Sequence, residues 1–150
     1  MDKKSSNLNN FDNSQPIFKQ IVDKILLSIA TGEMAPGDKI LAVREMAVLY
    51  NVNPNTMQKS LAKLEEMGYL FTERTTGRFV TTNKDLIGKL RHQIPTELTK
   101  KYVYDMKECG IPDEGIKKYV DLILSGKDED NWKTSYKSPP YIKTTVKLKP

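Results

Sequence analysis

Cysteine, histidine and long apolar runs are scarce in this sequence. Its 150 residues include one cysteine, Cys109, and one histidine, His92. The single cysteine excludes an intrachain disulfide, and neither residue has the neighbours that a metal site needs. No apolar run approaches the roughly 20 residues that cross a bilayer, and residues 1–6 lack the apolar stretch of a secretory signal. We therefore expect a cytoplasmic chain that takes no metal, cofactor or membrane as a partner.

Catalytic patterns are missing as well. The sequence contains no evident nucleophile–base pair, carboxylate pair or phosphate-binding loop. A chain of this length is expected to form one small domain with an appendage, which leaves little room for a separate catalytic module. We therefore predict that the protein is not an enzyme.

The positive charge of the chain is concentrated at one end. The net charge is +5, but residues 131–150 contain five lysines and no acidic residue. Without these five, the 24 Lys and Arg fall to 19 basic residues against 19 acidic ones. The overall charge is therefore no evidence for nucleic-acid binding by the folded part. We assign residues 127–150 as a basic tail and residues 1–14, rich in Asn and Ser, as a flexible lead.

Residues 15–82 have the periodicity of three helices and a hairpin. Pro16 and Gly32 bracket the first apolar row, in the positions where proline begins and glycine ends a helix. Asn53 is a good N-cap, and Pro54 suits the first position of a helix. The predicted elements are helices 16–32, 43–50 and 54–68 and strands 69–73 and 79–82. We therefore predict a mainly α (α+β) fold that begins with a winged helix-turn-helix.

Residues 83–126 are predicted to form a second helical region. An apolar residue recurs at every fourth position from Leu86 to Met106, Pro95 is expected to break or kink this helix, and another helix starts near Pro112. Two short amphipathic helices cannot bury their apolar stripes alone, so we expect a homodimer interface here in preference to a ligand pocket. The predicted interface residues are Leu86, Leu90, Leu98, Tyr102, Met106, Ile116, Tyr119, Val120 and Ile123.

The third predicted helix carries side chains that suit duplex DNA. In a helix-turn-helix, residues at the start of the second helix of the motif face base edges in the major groove. The amides of Asn55 and Gln58 can pair with adenine, and Thr56 suits a phosphate or a thymine methyl. In the hairpin, Gly77 permits a close backbone approach, and Arg78 offers a cation to the minor groove.

Six short segments spread over residues 15–82 form a specific pattern. They are PIFKQI (16–21), GEMAPGDKI (32–40), VREMA (43–47), VNPNT (52–56), LEEMGY (64–69) and GRFV (77–80). In this order they resemble the DNA-binding domain of the GntR family. The short helical region that follows, in place of a large effector domain, resembles the YtrA-type subfamily. That resemblance implies dimerisation through these helices and repression of operons for ABC transporters.

The resemblance also implies DNA contacts at matching positions. Arg44 matches the family arginine near the start of the second helix, Gly77 matches the wing-tip glycine, and four polar residues match recognition-helix positions. Together with two further cations, the predicted DNA-binding residues are Arg44, Asn53, Asn55, Thr56, Gln58, Lys59, Gly77 and Arg78.

Two places depart from the family pattern. Leu-Pro-Ser usually precedes Val-Arg-Glu, whereas this chain has Ile40-Leu41-Ala42. Loss of the capping serine should weaken that helix start by ~1 kcal/mol. The wing has Thr75 and Arg78 where the family has a glycine and a threonine, so we expect a different wing contact, made by Arg78.

Each assignment has a plainer alternative. For Arg44 it is a solvated pair with Glu45, and for the polar residues of the third helix it is ordinary helix surface. For the whole protein it is a winged-helix interaction module without sequence-specific DNA binding. We favour a regulator that binds a palindromic operator in double-stranded DNA as a homodimer and represses a transporter-type operon. The sequence does not indicate whether a small-molecule effector acts on it.

Overall fold

The computed structural model describes residues 8–127; the predictions for residues 1–7 and for the basic tail from residue 128 lie outside the described residues. The elements in chain order are helices α1 (Ile17–Thr31), α2 (Val43–Tyr50) and α3 (Pro54–Glu66), strands β1 (Leu70–Glu73) and β2 (Gly77–Val80), and helices α4 (Lys84–Glu108) and α5 (Asp113–Leu124). The chain divides between Pro95 and Thr96 into two compact units. The predicted class, mainly helical with a small winged sheet, is confirmed.

Local chemistry sets the ends of the first two helices. Gly32 ends α1 in the left-handed conformation, with a φ of 81°, and its N–H donates to the Ile29 carbonyl at 3.2 Å. Ala42 precedes α2 and has no side-chain acceptor, but Glu45 Oε2 accepts from the Ala42 N–H at 3.1 Å. The start of α2 therefore keeps the half of the capping box that does not need the missing serine.

Asn53 caps α3, as the sequence predicts. Its Oδ1 accepts from the Asn55 N–H at 2.8 Å, and Pro54 occupies the first turn, where a missing N–H costs no hydrogen bond. Asn51 makes the turn between α2 and α3 in the left-handed conformation, with a φ of 53°. These residues fix the direction in which the first turn of α3 presents its side chains.

The core of the first unit lies among α1, α2 and α3. Ser60 is fully buried there, and its hydroxyl lies within hydrogen-bond reach of the Phe18 and Thr56 carbonyls, at 3.1 and 2.9 Å. The hydroxyl is thereby satisfied inside an apolar cluster. Each large apolar side chain in this cluster contributes about 1.5–3 kcal/mol. Its members on these three helices are Ile21, Val22, Ile25, Leu26, Ile29, Met46, Ala47, Tyr50, Met57, Leu61 and Leu64.

The two strands form an antiparallel hairpin with a short turn. Leu70 lies opposite Val80, and Glu73 lies opposite Gly77. The second strand thus begins at Gly77, two residues before the predicted start, and the turn consists of residues 74–76. Glu73 Oε2 accepts from the Thr76 hydroxyl at 2.6 Å and helps to close this turn.

Residues 37–40 lie along the other edge of β2. The Ile40 N–H donates to the Arg78 carbonyl at 3.0 Å, and the Val80 N–H donates to the Asp38 carbonyl at 2.9 Å. Lys39 forms an antiparallel bridge with Phe79 at the centre of this pairing. The segment before α2 is therefore attached to the hairpin as a third, very short strand, which the sequence analysis does not predict.

The first part of α4 belongs to the first unit. Ile87 and Leu90 are buried in its core, and Leu86 and Ile94 pack against it. The helix is not broken at Pro95, contrary to one of the two predicted outcomes, although the boundary between the compact units falls at this residue. The first unit accordingly extends past residue 82, where the sequence analysis ends the winged domain.

Residues 8–14 contact the first unit, which differs from the predicted flexible lead. Leu8 and Phe11 pack against the core. The Asp12 N–H donates to Gln20 Oε1 at 2.8 Å, and Gln20 Nε2 donates to the Asp12 carbonyl at 2.7 Å. Apolar burial and these paired bonds attach the segment to the start of α1.

The second unit contains the rest of α4 and α5, joined at Gly110. Gly110 has a φ of 78°, the Ile111 N–H donates to the Met106 carbonyl at 3.0 Å, and Lys107 lies 3.3 Å from Asp113. Ile116 is 7% exposed, and among residues 96–127 it is the one buried apolar residue. Within residues 96–127, most apolar side chains of these helices are therefore exposed or half-buried.

Candidate nucleic-acid interface

The outer face of α3 is polar and exposed, as predicted. Asn55, Gln58, Lys59 and Lys63 are exposed, and Thr56 is half-buried. The opposite face is buried in the core, so the helix has a single orientation with respect to its own unit. The two exposed amides can accept and donate at once, which is the property that pairs Asn or Gln with adenine in a major groove.

The residues at the start of α3 are partly engaged in holding the helix. Asn53 uses its side-chain oxygen as the cap, and the Thr56 carbonyl lies 2.9 Å from the buried Ser60 hydroxyl. The cap satisfies the Asn55 N–H, while the positive end of the helix dipole still points outward. Asn53 is thus a positioning residue for this end of the helix, in addition to its predicted place at DNA.

The two lysines of α3 have partners within the protein. Lys59 Nζ lies 3.9 Å from the centroid of the Phe18 ring, which is a close cation–π contact. Lys63 Nζ lies 3.3 Å from Glu66 on the exposed surface. An exposed pair of this kind contributes about 0–1 kcal/mol and is readily exchanged for a phosphate. Both ammonium groups therefore stay on the surface, and Lys59 is the more firmly placed of the two.

Arg44 is exposed in the first turn of α2. Glu45, its sequence neighbour, instead turns back to accept from the Ala42 N–H at 3.1 Å. Within residues 8–127 no ion pair joins Arg44 to Glu45, the plainer alternative in the sequence analysis. Arg44 is consequently exposed to solvent at the start of α2, and the fork of donors in its guanidinium group suits phosphate.

Arg78 is placed differently from its prediction as a minor-groove cation. Its guanidinium group lies 3.2 Å from Glu65 Oε2, and the two side chains are 17% and 28% exposed. Arg78 Nε is buried without a hydrogen-bond partner among the described residues. Because Arg78 lies within β2 and faces α3, its charge is used inside the protein. The sequence could not show this, since the pairing depends on a contact between residues 13 positions apart.

Glu65 is the centre of this small network. Thr72 and Arg78 both donate to its carboxylate. Burial acts to raise the pKa of Glu65, but the hydrogen bonds from Thr72 and Arg78 and the Arg78 charge hold it below its usual value. Glu65 is therefore ionised at neutral pH, and the network joins the end of α3 to both strands of the hairpin.

The end of the hairpin carries a cation that the sequence analysis does not assign. Arg74 is exposed in the turn, and Gly77 follows with a φ of 122°, a conformation that favours glycine. Gly77 is therefore required first by the turn, consistent with its predicted position at the wing tip. Because Glu73 pairs with Gly77, Arg74 is the first residue of the turn and lies at the hairpin end. The sequence alone does not give this strand pairing, so it did not identify Arg74 as a wing cation.

The predicted dimer residues lie in three environments. Leu90 and Ile116 are 3% and 7% exposed, which leaves almost no surface for a partner and differs from the prediction. The half-buried ones are Leu86, Met106 and Tyr119. The exposed ones are Leu98, Tyr102, Val120 and Ile123.

Two other kinds of site find no support in the described part of the chain. Within residues 8–127, no three His, Cys, Asp or Glu residues are grouped as a metal ion would require. No helix in the same range has the length and apolar character needed to cross a membrane.

Comparison with known proteins agrees with this geometry. Residues 17–80 match the model of the gntR family of bacterial regulatory proteins. The uncharacterised HTH-type transcriptional regulator YhcF of Bacillus subtilis (strain 168) is 36% identical over 117 residues, which cover 75% of this chain and 97% of YhcF. The HTH-type transcriptional repressor YtrA of the same strain is 31% identical over 111 residues, which cover 73% of this chain and 85% of YtrA.

A solved structure gives the same result. The chain resembles a GntR family transcriptional regulator from Listeria monocytogenes with a TM-score of 0.69 and 42% sequence identity, over 74% of this chain and 97% of that one. The predicted resemblance is thereby confirmed, and YtrA is among the relatives. The chain therefore belongs to the GntR family of bacterial DNA-binding transcriptional regulators.

Proposed function

We propose that this regulator binds a palindromic operator as a homodimer and represses a transporter-type operon. The observation that supports dimerisation is the open apolar surface of the second unit. Ile123 is 59% exposed and Leu124 is 80% exposed, while α5 is strongly amphipathic and buries one residue. A connected apolar surface of this kind marks an interaction site in a protein that stays in solution.

The proposed partner of that surface is a second copy of the chain. A two-fold dimer brings the same patch together from both copies, so α5 and the second part of α4 would cover each other. It also supplies two recognition helices, and a two-fold protein requires a palindromic site with half-sites about one helical turn apart. We assign the exposed residues Leu98, Tyr102, Val120 and Ile123, with the half-buried Met106 and Tyr119, to this interface. Leu86 lies in the first unit and is a weaker candidate.

The proposed DNA contacts are divided between groove and backbone. Asn55 and Gln58 would read base edges, while Thr56 and Arg44 would bind phosphate or sugar. Asn53 would contribute the positive end of α3, and Lys59 would contribute a cation already oriented over Phe18. Gly77 would allow the hairpin to approach the backbone of the duplex closely. Arg78, which is paired with Glu65, is left out of this set.

Repression and the transporter operon rest on likeness to relatives. YtrA carries the description of a repressor, and it aligns with this chain through most of both sequences. The short helical region resembles the YtrA-type subfamily, for which transporter operons are the expected targets. A dimer that covers a promoter-proximal operator would exclude polymerase without needing any catalytic site.

The experiment that tests the proposal is the capture of genomic fragments by the purified full-length protein at moderate salt, followed by sequencing. The expected result is an enriched palindrome upstream of a transporter operon, the regulator's own operon included. Binding should weaken steeply with salt, because each phosphate contact releases counterions. An enriched site without two-fold symmetry would contradict the dimer, and a site upstream of unrelated genes would contradict the operon type. Loss of all duplex binding, with a stable hetero-partner recovered instead, would favour the interaction-module alternative.

A further inference from the structure

The wing of this protein has an exposed cation supplied by a segment outside the hairpin. We propose that Lys39, which lies before α2, is a phosphate-binding residue of the wing and that Gly77 is the position that lets it reach the hairpin end. This inference rests on duplex binding by the chain, and it adds a contact that the predicted set does not include.

The backbone of Lys39 is fixed beside the hairpin. Residues 38 and 40 exchange hydrogen bonds with β2, at 2.9 and 3.0 Å, and Lys39 itself bridges to Phe79. Side chains of paired residues lie on the same face of a sheet, and alternate residues of one strand share that face. Lys39, Phe79 and Gly77 are therefore on one face of the wing.

Contacts of the Lys39 side chain show where it runs. A Cβ built on Gly77 would lie 2.9 Å from Lys39 Cε, 3.7 Å from Nζ and 4.0 Å from Cδ. The lysine stem thus passes directly over the glycine, through space that any other residue would fill. Gly77 also has a φ of 122°, so its lack of a side chain serves both the turn and this close passage.

The ammonium group of Lys39 is available for a ligand. Lys39 is exposed, and within residues 8–127 no ion pair engages it. Arg78 comes from the opposite face of the same strand and is held by Glu65 at 3.2 Å. Glu73, the acidic residue of the hairpin, accepts a hydrogen bond from the Thr76 hydroxyl. The cations left at the wing are therefore Lys39 and Arg74, one on the sheet face and one in the turn.

A strongly hydrated point charge on a flexible stem suits a phosphate oxygen better than a base edge. Phosphate binding by Lys39 should therefore strengthen binding to every duplex without altering base preference. This uniform effect distinguishes phosphate binding by Lys39 from base recognition, which would change base preference. It also distinguishes phosphate binding from a purely structural role, since the fold needs only the backbone of Lys39 and the stem over Gly77.

The test is the salt dependence of duplex binding by the full-length Lys39→Gln variant. Two duplexes are used, the tightest fragment from the genomic capture and a mixed-sequence duplex of the same length. The expected result is weaker binding to both, with the slope of log affinity against log salt reduced by about 0.9 for each Lys39 that binds phosphate. Lys39→Arg should restore most of the slope. Lys89→Gln, an exposed lysine of α4 in the same unit, is the matched control and should leave the slope unchanged.

Each other outcome has a definite meaning. A wild-type slope in Lys39→Gln, with an unchanged melting temperature, would overturn the inference and leave the regulator proposal intact. A loss restricted to the captured fragment would show base reading by Lys39 and would also overturn the phosphate assignment. If the wild-type protein binds neither duplex, the proposed function fails, and the inference fails with it.

Discussion

The two units of this chain differ in how far their apolar residues are buried. In the first unit, Ile21, Met57 and Leu61 are fully buried, and even Ser60, the single fully buried polar residue among residues 8–95, has hydrogen-bond acceptors. In the second unit, Ile116 is buried while Ile123 and Leu124 are mostly exposed, although α5 has the clearest separation of apolar and polar faces among the five described helices. The described part of the first unit has a closed apolar core, whereas most apolar side chains of the described part of the second unit are exposed or half-buried.

This difference indicates a division of roles along the chain. A closed core keeps the polar face of α3 and the hairpin in fixed positions, as DNA reading requires. If a second copy covers the open apolar face, as proposed, folding of the second unit would be coupled to assembly. Substitutions in the core of the first unit should therefore change the free energy of unfolding at any protein concentration. Substitutions on the open apolar face of the second unit should change how strongly the oligomeric state depends on protein concentration.

The largest expected effect is on the closed core. Leu61→Ala should lower the free energy of unfolding of the first unit by about 2–5 kcal/mol, because it removes buried methyl groups and leaves a cavity. Chemical denaturation followed by circular dichroism measures this change. Leu124→Ala is the matched control, since the same change at a residue that is 80% exposed should cost far less in the isolated chain. Equal losses of unfolding free energy in the two variants would contradict the difference in burial between the two units.

The next effect is on the open face. Ile123→Glu should weaken dimerisation at least about tenfold, or 1.4 kcal/mol, because it places a carboxylate where an apolar contact is proposed. Analytical ultracentrifugation over a concentration series measures the dissociation constant. Lys118→Gln changes the net charge by the same amount on the exposed polar side of α5 and should leave assembly unchanged. An unaltered dissociation constant in the Ile123 variant would contradict the proposed dimer interface on α5.

A third prediction compares exposed cations of the two units. Arg44→Ala should reduce operator affinity about tenfold or more, since a hydrogen bond to a charged group contributes about 1.5–3 kcal/mol. Fluorescence anisotropy on the captured operator measures the loss. Lys100→Ala removes the same charge from the second unit, where Lys100 is paired with Glu97, and should change affinity little. Unchanged binding by the Arg44 variant would remove this residue from the proposed interface.

The smallest effect concerns the network that joins α3 to the hairpin. Its hydrogen bonds and charge hold the pKa of Glu65 below the usual value, so its contribution to stability is present above about pH 4.5 and is lost as the pH falls through the lowered pKa. Glu65→Gln should therefore lower stability by about 0.2–1 kcal/mol at neutral pH. The difference in free energy of unfolding between this variant and the wild type should disappear in acid. Denaturation measured at pH 7, 5 and 3 would show this. Glu66→Gln is the exposed control, and a gap that stays constant with pH would contradict the assignment.

The sequence predicted the winged domain well where local rules decide. The bounds of α2 match the predicted residues 43–50, and Asn53 caps α3 through a bond that involves its own neighbours. Helix periods, caps and proline positions depend on residues a few places apart, so they can be read without a fold. The exposed face of α3 follows from the same periodicity, so the exposure of Asn55, Gln58 and Lys59 was predicted as well, while their contacts with DNA stay a prediction.

Sequence reasoning did not succeed where the outcome depends on distant residues. Arg78 has the pattern of a wing cation, but the strand register turns it toward Glu65. Leu90 continues a four-residue apolar row, but the first unit extends along α4 and buries it. Lys39 has no local signal at all, because its position depends on pairing between residues 37–40 and β2. The outcome at Pro95 was similarly open, since proline removes one backbone hydrogen bond but a long helix can continue past it.

The sequence by itself determined which segments of the winged domain become helices, which residues cap α1 and α3, and which family the chain belongs to. These properties follow from the order of apolar, capping and turn residues along the chain. The tertiary structure alone decided which cations stay available at the surface and which apolar residues remain uncovered. Both depend on what packs against each side chain, and that is set by strand register and by contacts between helices far apart in sequence.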